Sequence, residues 1–286
     1  MTLGQEFEGF ATLMKRLAAK LKAARPGSFE IVMGGSAIGT GLGADPGYMD
    51  ALYKYLSEQY GETVKPAESL FDGFQNPDFC VTISGLVKEV ATSVSKISKD
   101  LRLMSSGPLT GWMEINLPAL SPGSSIMPGK INPTVPEMVI QIAHQVVGND
   151  VAIAMAYDEG ELDLNVWDAT FYKCLFESMQ LVAEELVILR RDCVDGITAN
   201  KQRCAEEANG SIALSTVVVA ATFSYPDGVR VAHYCEQHGV TVAKAVVEMG
   251  LMTEEEAKEM IDPMLMTEPA EMAKAIKAFK AKKAAK

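Results

Sequence analysis

ISGLVKEVATSVSKISKDLRLM, residues 83–104, carries apolar side chains at Ile83, Val87, Val90, Val94, Ile97, Leu101 and Met104. The steps between them alternate four and three, which keeps all seven on one stripe of an α-helix. A seam of this length requires partner helices of matching length, and two follow it. Pro133–Tyr157 is predicted to be helical, with Asn132 as N-cap and Pro133 at the first helical position, where its missing N–H is no loss. Val166–Arg191 lines up Phe171, Leu175, Met179, Val182, Leu186 and Leu189 along one side. Upstream, Thr2 and Gln5 have capping-box spacing. Phe10, Leu13, Leu17 and Leu21 then recur at helical intervals until Pro26 ends the run. After Asn200 the pattern shortens, with Thr241–Met249 and Thr253–Met260 the clearest segments and Thr253 and Glu256 spaced as a second capping box. The basic tail KAIKAFKAKKAAK, from Lys274, is expected to fray. Strand signals are thin throughout. The predicted fold is therefore all-α: a long central helix bundle over residues 1–198 and a small C-terminal helical domain over 199–286.

Composition narrows the function. The chain has 286 residues, 48% of them hydrophobic and 22% charged, with a formal net charge of −11. A negative surface repels nucleic acid and anionic membrane, so neither is an expected partner. It does not disfavour a small anion, which is held by local donors. The five cysteines, Cys80, Cys174, Cys193, Cys204 and Cys235, are scattered and lack C-x-x-C spacing. Free thiols in a reducing compartment are expected, with no disulfide frame, no metal site and no cofactor. The opening MTLGQEFEGF is polar and acidic and unlike a signal peptide, and no run reads as long and apolar enough to span a bilayer. Cytoplasmic location is the expectation.

GGSAIGTGLG, residues 34–43, invites a phosphate-loop reading. It lacks the lysine of a P-loop and does not fit G-x-G-x-x-G before a clear helix. A turn-rich connection needing positive φ is the better reading. The longer connection, SSGPLTGWMEINLPALSPGSSIMPGKIN at residues 105–132, holds four prolines and four glycines. Loops of this length in compact domains are uncommon and tend to be functional. Within it, Gly123 permits close backbone approach, Ser124 and Ser125 offer hydroxyls and N–H groups, Lys130 brings a point charge, and Asn132 an amide. That donor set suits a carboxylate. A serine here also acts as a base if positive charge and backbone N–H groups stabilise its alkoxide. No histidine occurs before His144, so no Ser–His pair is visible within the loop. The residues alone leave open a plain surface loop in which Ser, Gly and Pro only make turns.

GSSIMPGKINP, residues 123–133, resembles the signature of the aspartase/fumarase superfamily, G-S-S-x-M-P-x-K-x-N-P, at every fixed position. TLGQEF at Thr2, GGSAIGTGL at Gly34, DLRLMSSGP at Asp100, GND at Gly148, LNV at Leu164 and GITANK at Gly196 resemble family segments in the same order. The resemblance implies a bundle of long helices that associates into a homotetramer, with smaller helical domains at its sides. It implies elimination of ammonia, water or an amine from a succinyl-type substrate, usually releasing fumarate through an aci-carboxylate. By the same resemblance Ser124 is the general base, and Ser125, Lys130 and Asn132 hold the substrate carboxylate. Glu137 matches a glutamate that pairs with a histidine of another subunit; a first-turn carboxylate facing the helix dipole is the alternative reading.

EINLP at Glu114–Pro118 and NPTVPE at Asn132–Glu137 resemble the aspartase form over class II fumarase. The implied substrate pair is L-aspartate and fumarate, with malate and fumarate as the alternative. Leu109 stands where relatives often carry arginine after SGP, and Gly43 where an asparagine often follows GTGL. In relatives a long region with a Thr-His pair precedes TLGQE. The sequence expectation is therefore little activity from this chain alone, its site being completed by a chain that supplies that region, with a non-catalytic assembly subunit as the alternative. His144 is expected to be an ordinary packed or partly exposed histidine. A free-standing carboxylate-binding module leaves the long helices unexplained.

Overall fold

The computed structural model describes residues 1–221 and 224–284. The chain divides into two compact units, Phe10–Thr198 and Met1–Gly9 with Ala199–Lys286. Helices dominate both, and among the described residues the strands are two-residue pairs. α1 spans Leu3–Ala24 and opens on the predicted box: Gln5 N donates to Thr2 Oγ1 at 3.2 Å and Thr2 N to Gln5 Oε1 at 3.0 Å.

In the unit Phe10–Thr198, α2 (Tyr48–Tyr60) and α3 (Leu70–Gln75) precede three long helices: α4 (Asp78–Met104), α5 (Thr134–Asp158) and α6 (Asp168–Asp192). The heptad seam of α4 is its buried face. Val87, Val90, Val94, Ile97, Leu101 and Met104 are all buried, with Ile83 half-buried at the open end. α4 packs on α5 and α6, and α5 on α6. Val139, Val146 and Ile153 of α5 and Phe171, Leu175, Val182 and Leu189 of α6 complete the layer.

Polar bonds fix the register of the three. Ser84 Oγ of α4 donates to Asp150 Oδ1 of α5 at 2.7 Å, and Lys88 pairs with the same carboxylate. Asn149 Nδ2 of α5 donates to Ser178 Oγ of α6 at 3.0 Å and to Glu177 Oε2 at 2.8 Å. The GND segment thus serves as a cross-helix lock. Asn165 of the LNV segment works similarly in the turn between α5 and α6, donating to Ala156 O at 3.1 Å and accepting from Trp167 N at 3.0 Å.

Several expectations need correction. Met179, placed on the buried side of α6, is 45% exposed; Ser178 and Glu185 take the buried positions instead. α5 begins at Thr134 with Pro133 as its cap, one residue later than read, and the Asn132 amide donates to Gly123 O in the preceding loop. α5 also has 25 residues, so by length and composition alone it is long and apolar enough to cross a membrane. It lies against α4 and α6 and carries the bonded Asn149 and Asp150. Residues 34–43 are turns, as read, with Gly39 at φ 116° and a Cβ there only 2.8 Å from Phe71 N.

In the other unit, α8 (Ser215–Ala221), α9 (Tyr225–His238), α10 (Val242–Glu248) and α11 (Glu254–Met260) follow α7 (Lys201–Gly210) around a core of Val217, Val218, Val231, Val246 and Met260. The box at Thr253 and Glu256 is present in both directions. The tail expected to fray is helix α12, Pro269–Ala284: Phe279 is 4% exposed in the core and Met272, Ala275 and Ile276 pack beside it. The last two positions of that tail, 285–286, lie outside the described residues.

Candidate active site

The connection from α4 to α5 has two parts. The first folds back on the end of α4: Met113 N donates to Ser106 O at 2.9 Å and Glu114 N to Met104 O at 2.9 Å. Ile115, which follows, is 1% exposed and anchors the chain. The second part is a hook. Pro122 and Ile131 form an antiparallel bridge, and Gly123 N donates to Lys130 O at 2.6 Å. Asn132 Nδ2 donates to Gly123 O at 3.1 Å. Gly123 is needed for closeness: a Cβ there would meet Asn132 N, Asn132 Oδ1 and Lys130 O, each at 2.9 Å. Gly129 turns the tip with φ 79°.

Ser124 sits half-buried inside the hook. Its Oγ accepts from Ile126 N at 3.1 Å and Met127 N at 3.0 Å. Two amide dipoles therefore point at the oxygen that carries negative charge when this serine is deprotonated, and they favour the charged form. Ser125 and Lys130 are exposed on the same hook, and among the described residues Lys130 Nζ makes no ion pair. The Asn132 amide holds Gly123 O with one N–H and retains a second donor.

The hook thus brings Ser124, Ser125, Lys130 and Asn132 into one folded segment. Glu137 belongs to a different cluster. It lies in the first turn of α5, where a carboxylate complements the helix dipole, and its Oε1 is 3.6 Å from Arg102 Nη2 in the last turn of α4. Both partners are well exposed, so the pair contributes little stability; its effect is to join the two helix ends from which the loop springs. His144 is exposed on α5.

Sequence reasoning missed two parts of this arrangement. Backbone N–H groups at Ile126 and Met127 have no residue signature. Arg102 lies within the DLRLMSSGP segment, and a cation in a last helical turn is the signal that marks it. A cleft of about 550 Å³ elsewhere is lined by Asn209, Lys244, Glu248, Lys258 and Asp262, and by none of the hook residues.

The family described as lyase matches residues 1–148. The aspartate ammonia-lyase of Pseudomonas canavaninivorans is 42% identical over 270 residues, 94% of this chain and 57% of that protein. Among solved structures, a fumarate lyase:delta crystallin from Brucella melitensis bound to cobalt superposes with a TM-score of 0.89 at 38% identity, covering 93% of this chain and 57% of that one. The class II fumarase of Schistosoma mansoni has the same TM-score at 28% identity, over 94% of this chain and 59% of that one. The chain thus spans somewhat over half the length of the relatives it matches.

Proposed function

This chain belongs to the lyase family, and we propose that it forms the base-bearing part of an elimination site that converts L-aspartate to fumarate and ammonia. Phe10–Thr198 is the bundle domain that carries the loop, and Ala199–Lys286, together with Met1–Gly9, the small helical domain. The observation that carries the reading is the pair of amides on Ser124 Oγ, within a loop whose other side chains are carboxylate donors. In the proposed reaction Ser124 takes the proton from the carbon beside the substrate's side-chain carboxylate. Charge moves onto that carboxylate, where Ser125, Lys130 and the free N–H of Asn132 stabilise the doubly charged aci-carboxylate. The carbon–nitrogen bond then breaks, the double bond forms, and ammonia leaves. No metal or cofactor enters this scheme.

Glu137, with Arg102 beside it, keeps a carboxylate at the loop's far end, available to a cation from another chain. Homotetramer assembly, or assembly with a chain supplying further site residues, is part of the proposal. Its support is a second apolar stripe on the bundle: Val147, Val151 and Met155 of α5 and Tyr172, Phe176, Met179 and Val187 of α6 are exposed. The five free thiols favour a reducing, cytoplasmic setting.

Fumarate formation from L-aspartate by the full chain assembled with the chain that completes its site tests the reading. Ser124→Ala is expected to lower it about 10²–10⁴-fold, the usual contribution of a general base, with the helical fold retained. Undiminished turnover would remove Ser124 from the role. Succinate, which is not turned over, reads the binding half separately: Lys130→Ala should weaken its affinity about tenfold. The class II fumarase likeness gives the competing substrate, and a faster reaction with L-malate would decide for it.

A further inference from the structure

Glu185 lies on the inner face of α6 between Val182 and Leu189 and is fully buried. Neither of its carboxyl oxygens has a hydrogen-bond partner. A buried ionised carboxylate without a partner is among the most unfavourable arrangements a protein interior can contain, and the group avoids it by taking up a proton. Burial alone pushes the Glu185 carboxyl up to about 8, from an ordinary value of 4.5. Charged groups on the packed elements do not compensate it. On α4, Glu89 pairs with Lys20, Lys88 with Asp150, Lys96 with Asp100, and Arg102 with Glu137. Lys99 and Asp78 of α4, and His144 and Asp158 of α5, are exposed. Asp195, in the turn after α6, pairs with Arg190. Cys193, pushed up to about 11 by burial, stays neutral over the same range. On α4, which packs on α6, Ser98 is the other described residue with a buried, unpartnered side-chain oxygen.

We propose that Glu185 is a proton-binding site inside the helix bundle, and that uptake of one proton there is a condition for α6 to pack against α4 and α5. The direction follows from linkage. The folded state holds this proton more tightly than the unfolded chain does. Its contribution to stability is fully present below the unfolded value of 4.5, falls as pH rises from there to about 8, and changes no further above that. The bundle is therefore loosened by alkalinity through one internal group, independently of the exposed ion pairs and of Ser124.

The test is thermal unfolding of the full chain at pH 5, 6, 7, 8 and 9, for the native protein, Glu185→Gln and Glu185→Leu. The native midpoint is expected to fall by at least ~5 °C more than that of Glu185→Gln between pH 5 and 9, using a few degrees per kcal/mol for a chain of this size. Glu185→Leu, which removes the polar group, should be no less stable than the native protein at pH 9. Parallel pH slopes for native and Glu185→Gln would overturn the proposal. Should either variant fail to fold, infrared difference spectroscopy on the native chain decides. A protonated carboxyl band persisting at pH 7 and vanishing towards pH 9 supports the site, and its absence at pH 6 refutes it.

Discussion

At the residue scale, the hook around Ser124 depends on atoms that side-chain chemistry does not advertise. The serine oxygen is served by two backbone amides, and those amides are aimed by the turn at Gly129 and the closure at Gly123. Gly123→Ala is a sharper probe of this geometry than any donor deletion. Its methyl group would sit 2.9 Å from backbone N and O atoms on the opposite arm, so the arms must separate. Turnover or dicarboxylate binding is expected to fall at least tenfold while the unfolding midpoint changes little, because the hook is exposed and no core residue moves. A variant with native binding would show that the hook's closure is not needed. The motif was readable as letters; the amide pair and the Arg102–Glu137 contact were not, since both exist only once the loop folds back and two helix ends meet. Asn132 shows the same limit from the other side. Its position before Pro133 fits a cap, yet the helix starts one residue later and the Asn132 N–H instead closes the hook on Gly123 O.

At the scale of single helices, periodicity carried most of the information. The α4 seam is buried along its length, apart from partial exposure at Ile83, because one apolar stripe on a helix leaves no choice of which face turns inward. Leu101→Ala should therefore destabilise the bundle by about 2–5 kcal/mol, the usual range for a buried leucine. Met179→Ala should have an effect under ~1 kcal/mol in the isolated protomer. Denaturant unfolding of the two variants checks the contrast, and equal losses would contradict the packing described. α6 is where periodicity misleads. It has two apolar stripes, one through Phe171, Leu175, Val182 and Leu189 and another through Tyr172, Phe176, Met179 and Val187, and nothing local distinguishes them. The α12 tail errs in the opposite sense. Its lysines suggest a loose end, but Phe279 reaches the core, and Lys282 and Lys283 pair with Glu259 and Glu256.

At the scale of the whole molecule, the proposed assembly assigns a role to the exposed apolar side chains of α5 and α6. Light scattering should find an oligomer of the full chain, and Phe176→Glu, which puts a charge into that stripe, should shift it towards the monomer. An unchanged mass would move the assembly surface elsewhere. The bonds Ser84–Asp150 and Asn149–Ser178 bear on a different matter, the history this chain can have. They pin three helices to one another at a single level. One residue gained or lost inside any of them turns everything beyond it by about 100°, carrying lock and apolar stripe off their partners together. Length is therefore frozen in the rods and negotiable only in the connections. Descendants of this fold are free to rewrite the 105–132 segment, and the chemistry it carries, while the bundle beneath keeps its count.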